Sequence, residues 1–286
     1  MTKTLLFGGS GFFGPVILSK DSNIISVGRT KPPSYCQNKH IQINDLDELN
    51  KLDSIEFDKV IFLIGSSNHH DININIDMGI DFNVYPLNKA LDYFSKKNLK
   101  KFICFTTILL YDQKKIVIPV DETQEINPFA NKYIFSKYLS EQIVKFYQSK
   151  VPSIIVRLSN IYGYTELRRP DLIPTIMQDV FEKEKVEIWS NKPKRDFIFT
   201  EDAADAVLRL LETDFTGILN LGSGKMSSLK LISEIIEDLS GKKIVSKNKV
   251  VSGPMEFNTN IKKISEITGW EPKFDIKKGL EKTFYI

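Results

Sequence analysis

Cysteine is nearly absent from this chain. Its 286 residues carry only Cys36 and Cys104, too few for a disulfide framework or a cysteine-built zinc site. Histidine is also scarce, with three copies. The adjacent pair His69-His70, followed by Asp71, reads as part of a polar loop that at most borders a ligand pocket, and no metal site is expected. No apolar run is long enough to cross a bilayer, and the opening residues enter a strand without the layout of a leader. The expectation is therefore a cytoplasmic protein with no membrane association. Neither sign of charge dominates: 39 Lys and Arg face 36 Asp and Glu, a net charge of +3, and the lysines are spread along the chain. That leaves no basic block for nucleic acid. A mildly positive balance suits a substrate that carries phosphates.

What the chain does contain is an alternation. Hydrophobic residues at 42% and charged residues at 26% give the balance of a globular protein rather than a disordered one. Short apolar runs over residues 4–7, 24–27, 41–43, 60–64, 102–105 and 154–158 read as buried strands. Helices are expected over 12–20, with Pro15 in the first turn, over 83–97, and over 133–149. Strands alternating with helices predict an α/β fold with a doubly wound parallel sheet of the Rossmann type. After Gly163 the pattern changes, with helices at 172–183, 203–211 and 229–239 and strands before Asp202 and at 218–221. Segments 261–267 and 276–283 close the chain. The expected organisation is a dinucleotide-binding domain over 1–163 that also carries the catalytic residues. A smaller C-terminal substrate-binding lobe over 164–286 partly returns to it.

The first strand ends in Gly8-Gly9-Ser10-Gly11-Phe12-Phe13-Gly14. Glycines at 8, 11 and 14 allow a tight turn, close approach to a pyrophosphate and close helix–strand packing. The following helix offers free N–H groups to the phosphates. A bare glycine spacing is weak; this one leaves a strand and opens a helix, the context that dinucleotide binding requires. Phe12 and Phe13 fall within the cofactor-contacting stretch, with rings expected to pack into the helix rather than to form a substrate platform. The second strand ends Val27-Gly28-Arg29-Thr30, without the acid that would hold the ribose of NAD. Arg29 suits a 2′-phosphate, which favours NADP(H) over NAD(H). The plain alternative for Arg29 is a solvated loop residue.

Tyr133 and Lys137 stand one helical turn apart. A phenol with a pKa of ~10 is a poor base at neutral pH, and a neighbouring ammonium favours its phenolate. A tyrosine so placed could exchange a proton with a substrate hydroxyl or keto oxygen as hydride moves. The fifth strand runs out into Thr106-Thr107, placing a hydroxyl at the carboxyl end of the sheet, where parallel sheets bind ligands.

With these residues in place the chain resembles the NAD-dependent epimerase/dehydratase group of extended short-chain dehydrogenases. The resemblance runs in order through Gly8, Gly11 and Gly14, through Asp45 in Asn44-Asp45-Leu46, and through Asn83-Val84. Thr107 follows, four residues before Tyr111, and then Tyr133 with Lys137. Arg157-Leu158-Ser159-Asn160-Ile161-Tyr162-Gly163, Arg195-Asp196-Phe197, Leu219-Asn220-Leu221-Gly222-Ser223-Gly224 and Gly269-Trp270-Glu271-Pro272 complete it. The resemblance implies that Asp45 and Leu46 border the adenine and that Thr107 bonds the reacting sugar oxygen. It implies that Lys137 also binds the nicotinamide ribose. Asn160 and Arg195 would contact the nucleotide part of the substrate.

The departures narrow the activity. Ile108 and Leu109 stand where dehydratases of the group carry an Asp-Glu pair, which argues against loss of water. Asp112 replaces the usual Gly after Tyr111, and residues 250–257 contain no second phosphate-binding Arg, a part that Arg168 and Arg169 are placed to take. The reading leans to an NADPH-dependent 4-ketoreductase acting on a nucleotide-linked sugar. An NAD-retaining nucleotide-sugar 4-epimerase stands as the alternative, followed by a non-catalytic dinucleotide-binding regulator and by a reductase of a small carbonyl. Extra apolar residues on the two long helices, Tyr85, Tyr93, Tyr138 and Tyr147, together with the resemblance, imply a homodimer. Light scattering of the purified protein is expected to give twice the chain mass; a monomeric mass rules the dimer out.

Overall fold

The computed structural model describes residues 3–251 and 253–285. In chain order β1 (Lys3–Phe7) leads through the glycine turn into α1 (Gly14–Lys20), followed by β2 (Ile25–Gly28), β3 (His40–Gln42) and β4 (Phe57–Phe62). Next come the short helices α2 (His69–Ile74) and α3 (Ile76–Gly79), then α4 (Tyr85–Phe94), β5 (Lys101–Thr107), α5 (Lys132–Tyr147), β6 (Ser153–Leu158) and β7 (Asn160–Tyr162). The remainder is α6 (Leu172–Glu182), β8 (Val186–Ile188), β9 (Lys194–Phe199), α7 (Thr200–Leu210), β10 (Gly217–Leu221) and β11 (Met226–Ser228). It ends with α8 (Leu229–Ser240), β12 (Ile244–Ser246), α9 (Lys262–Thr268) and α10 (Ile276–Phe284).

The expected doubly wound sheet is present. Seven strands lie in the order β10-β6-β5-β4-β1-β2-β3, and β3, β2, β1, β4 and β5 pair in parallel. The order reverses between β1 and β4, so the carboxyl ends of these strands form the switch point at which such sheets hold ligands. Both faces of the central strands are buried, as helix crossovers on both sides require. Leu5, Phe7, Val60, Phe62, Phe102 and Cys104 share one core with Leu87, Leu91 and Phe94 of α4 and Val144 of α5. The alternate residues Leu6, Ile61 and Ile103 point the other way and are equally inaccessible.

The chain divides into two compact units that interleave in sequence. The first holds residues 1–111, 126–157 and 207–219, and the second holds 112–125, 158–206 and 220–286. The division falls inside β6, α7 and β10. In the second unit Ile173, Ile176 and Val180 of α6 pack with Leu229, Ile232 and Ile236 of α8, Phe197 and Phe199 of β9 and Leu280 of α10. The spacing of three and four along each helix gives one apolar face. Ser228 caps α8 by accepting from the Leu231 N–H at 3.1 Å, and Gly241 ends it at φ 70°.

Two segments depart from the sequence expectation. His69 and His70 open α2 rather than lying in a loop, because the Asn68 side chain accepts from the Asp71 N–H at 3.2 Å and starts a turn. The long helix expected from Asn83 starts earlier: α3 runs without a break into a π turn, Ile80–Val84, which leads into α4 at Tyr85, with Pro86 just past it. Proline contributes no N–H to the turn before it, and the wider π turn lies where that hydrogen bond is missing.

A buried ion pair ties α5 to the sheet. Glu141 is fully inaccessible and accepts from Arg157 Nε at 2.9 Å, Arg157 Nη2 at 2.8 Å and the Thr106 hydroxyl at 2.9 Å. Arg157 also lies over the Tyr111 ring, 4.9 Å from its centre. Truncating one partner strands the other's charge, so Glu141→Ala is expected to cost about 3–5 kcal/mol in urea unfolding. A loss below ~1 kcal/mol would show that the pair does not anchor the helix.

Candidate active site

The glycine turn is close-packed backbone. Gly8 has φ 87°, and its carbonyl accepts from the Gly11 N–H at 3.1 Å. A Cβ on Gly14 would stand 2.4 Å from the Gly8 oxygen, and one on Gly9 would stand 2.4 Å from the Ser26 hydroxyl. No side chain fits at either place, so the loop exposes backbone, which a pyrophosphate can approach. Phe13 precedes α1 without a side-chain cap, leaving first-turn N–H groups for an anion. This cradle fits a dinucleotide. Phe12 and Phe13 are each 8% exposed, and Phe13 meets Phe105 edge-on at 5.9 Å. Their rings pack inward, as expected.

Arg29 is exposed one residue beyond β2. Asp45 is exposed and caps a short 3-10 turn, Leu46–Leu52, by accepting from the Asp47 N–H at 2.7 Å, while Leu46 packs against the core of the first unit.

Thr107, Tyr133 and Lys137 all belong to the first unit and are all buried. Thr107 closes β5, and its hydroxyl oxygen accepts from the Leu109 N–H at 3.1 Å. Having accepted there, the hydroxyl retains its own proton to donate. Ile108 and Leu109, which follow, are packed apolar residues. Lys137 Nζ lies 5.9 Å from the centre of the Tyr133 ring and donates to Asn83 Oδ1 at 3.0 Å. Burial pulls the Lys137 ammonium down to about 8, with the Cys104 thiol acting weakly the other way. Burial likewise pushes the Cys104 thiol up, leaving it an inert core residue.

Asn83 is the site residue whose part the sequence did not reveal. It is 3% exposed and sits in the π turn. Its Oδ1 accepts from Lys137 and from the Ser66 N–H at 2.7 Å, its Nδ2 donates to Ser136 Oγ at 3.1 Å, and its carbonyl accepts from Ser140 Oγ at 3.0 Å. Asn83-Val84 was legible as a motif, but the π turn that aims the side chain at Lys137 was not. Such single turns recur at functional sites.

The second unit holds the other two expected residues. Asn160 opens β7, and its Nδ2 donates to the Asp196 carbonyl at 2.9 Å. Arg195, on β9, is half-buried. Its neighbour Asp196 is a scaffold residue: the carboxylate accepts from Ser223 N and Oγ, both at 2.7 Å, and from Gly224 N and Thr259 N, both at 3.1 Å. Asp202 accepts from the Lys273 and Phe274 N–H groups at 3.0 and 2.9 Å, and its carbonyl takes Trp270 Nε1 at 3.1 Å. Arg168 and Arg169 pair with Glu182 and Asp171, each at 2.7 Å. Among the described residues no three His, Cys, Asp or Glu side chains gather as metal ligands. No helix among them is long and apolar enough to cross a membrane.

The chain resembles known proteins along most of its length. Residues 4–222 match the model of the NAD dependent epimerase/dehydratase family. A putative UDP-glucose 4-epimerase of Methanocaldococcus jannaschii is 26% identical, covering 97% of this chain and 96% of that one. A dTDP-4-dehydro-6-deoxyglucose reductase of Escherichia coli is also 26% identical, over 97% of this chain and 95% of its own. The crystal structure of a UDP-glucose 4-epimerase from Thermotoga maritima superposes with a TM-score of 0.89 at 20% identity, covering 99% and 97% of the two chains, and so shares the fold.

An ammonium at Lys137 would support a phenolate at Tyr133 only while protonated. Turnover is therefore expected to hold below about pH 8 and to decline as pH rises through that value. A pH–rate profile checks this, with Lys137→Arg, whose guanidinium stays charged, expected to lose the decline if it retains turnover. A wild-type profile that is flat well above pH 8 overturns the assignment.

Proposed function

The chain belongs to the NAD-dependent epimerase/dehydratase family, and on that premise we propose that it is an NADPH-dependent 4-ketoreductase of a nucleotide-linked sugar. The observation that carries the chemistry is Lys137, buried one turn from Tyr133 and held by Asn83 at 3.0 Å. The family's cofactor is a nicotinamide dinucleotide, which when bound supplies the hydride. Tyr133 gives its hydroxyl proton to the 4-keto oxygen. Lys137 stabilises the phenolate left behind. The Thr107 hydroxyl donates to the same sugar oxygen and orients it. Asn160 and Arg195 take the nucleotide part, Arg195 at the diphosphate. Apolar Ile108 and Leu109 supply no acid or base for a dehydration.

Arg29 supports NADPH. It stands exposed just past β2, where no acid is present to bind a ribose hydroxyl, and its guanidinium suits a 2′-phosphate. A second reading, a 4-epimerase that keeps NAD through turnover, is supported by the 26% identity to a putative UDP-glucose 4-epimerase along nearly the whole chain. Both readings use Thr107, Tyr133 and Lys137 alike. The proposal includes a homodimer through α4 and α5, where Tyr85 and Phe146 are 54% and 80% exposed. Tyr93 is spent within the chain, bonding Asp53 at 2.7 Å.

The deciding measurement is mass spectrometry of the dinucleotide released by denaturing fresh protein. An empty protein that binds NADPH more tightly than NADH, and that reduces a dTDP-linked 4-keto-6-deoxyhexose, supports the ketoreductase. Stoichiometric NAD or NADH, with interconversion of UDP-glucose and UDP-galactose, favours the epimerase. In either case Tyr133→Phe is expected to lower kcat by ~10²–10⁴-fold.

A further inference from the structure

Three contacts join α2 to the first turn of α5, where Tyr133 sits. The His69 imidazole stacks on the Tyr133 ring, with centres 3.9 Å apart and planes 18° from parallel. Asn73 Oδ1 accepts from the Tyr133 N–H at 3.0 Å. Lys132 Nζ donates to the Ile74 carbonyl at 2.8 Å. The helix α2 is itself anchored, because Ile72 is fully buried in a cluster with Leu110, Tyr133 and Ile134.

These contacts act on two freedoms that Tyr133 would otherwise have. The first N–H groups of a helix lack partners within it. In α5 the Asn131 side chain takes the Ile134 N–H at 2.9 Å, and Asn73 takes the one belonging to Tyr133. The backbone from which the phenol hangs is thus held by a side chain of another helix. The ring is the second freedom. Its χ2 torsion has a broad preference, so the side chain alone does not set the ring plane. A phenol O–H lies close to the plane of its ring, so the plane decides where the proton points. A face-stacked imidazole sets that plane and blocks a swing of the ring about χ1 toward α2.

We propose that His69 and Asn73 are positioning residues for Tyr133, His69 fixing the orientation of the phenol and Asn73 the turn that carries it. The inference rests on the reading of Tyr133 as the proton donor. It also gives a function to the polar stretch around His69 and His70, which carries no motif in the sequence.

The test compares His69→Ala, His69→Phe, Asn73→Ala and Asn73→Asp with wild type and with Tyr133→Phe. Each is assayed with NADPH and a dTDP-linked 4-keto-6-deoxyhexose, and in parallel with UDP-glucose. Each is also labelled with 3-fluorotyrosine for fluorine NMR, where the signal missing in Tyr133→Phe identifies that ring. The two alanine variants are expected to lose ~10- to 100-fold in kcat, with KM within about twofold, because a misplaced catalytic group slows chemistry more than binding. His69→Phe keeps a stacking face and Asn73→Asp keeps an acceptor, so both are expected to recover most of the rate. The Tyr133 fluorine signal is expected to shift and broaden only in the alanine variants.

An unchanged kcat, a loss that tracks melting temperature, or a loss that the conservative variants do not restore overturns the proposal. So does an unmoved fluorine signal in His69→Ala. Full activity in Tyr133→Phe, or no turnover of either substrate, counts instead against the underlying reading of the site. In that case the fluorine signal still decides whether His69 orders the ring.

Discussion

The first unit is organised around keeping a cation where water does not reach. Burying an ammonium is costly unless it is hydrogen-bonded, and Lys137 is 9% exposed with Asn83 Oδ1 as its partner at 3.0 Å. That one carbonyl oxygen gathers three separate stretches of chain. It also takes the Ser66 N–H from the segment leaving β4, it comes from the π turn before α4, and Lys137 belongs to α5. Gly65 completes the arrangement, since a Cβ there would stand 3.0 Å from the oxygen and 3.4 Å from the ammonium. The departure from regular helix at Ile80–Val84 is thus the means by which a side chain reaches Lys137.

Around that centre, other polar residues hold the helix that carries Tyr133 and Lys137. Glu141 lies four residues beyond Lys137 on α5, and with Arg157 and Thr106 it fastens the helix to β5 and β6. Asn73, Asn131 and His69 fasten its first turn. A proton transfer needs its donor placed within fractions of an ångström, and rigid elements supply that better than loops. The second unit follows the same logic. Asp196 and Asp202 meet their partners at Ser223, Thr259, Lys273 and Phe274, so stretches far apart in the chain are each other's hydrogen-bond acceptors and donors. Tyr162 packs so closely on α10 that a Cβ on Gly279 would stand 2.0 Å from its hydroxyl. Burial, with Asp202 and Asp275 nearby, pushes that phenol up, leaving it a neutral packing residue rather than a proton donor.

The sequence by itself determined the parts of the molecule that rest on local pattern. Runs of β-branched and apolar residues marked β1, β2, β4, β5 and β6, three- and four-residue spacing marked the longer helices, and glycines at 8, 11 and 14 marked a tight turn between strand and helix. Tyr133 and Lys137 were legible because a helical turn brings them together whatever surrounds them. Tertiary structure alone decided the rest, for a physical reason in each case. The short strands β7, β8, β11 and β12 exist only because a partner strand completes their hydrogen bonds, which three residues do not announce. The helical start at His69 depends on a cap from Asn68, and the stack on Tyr133 depends on α2 meeting α5. The inward turn of Asn83 depends on a π turn that no residue spacing records. The interleaving of the two units likewise follows from long-range contacts that no local pattern specifies.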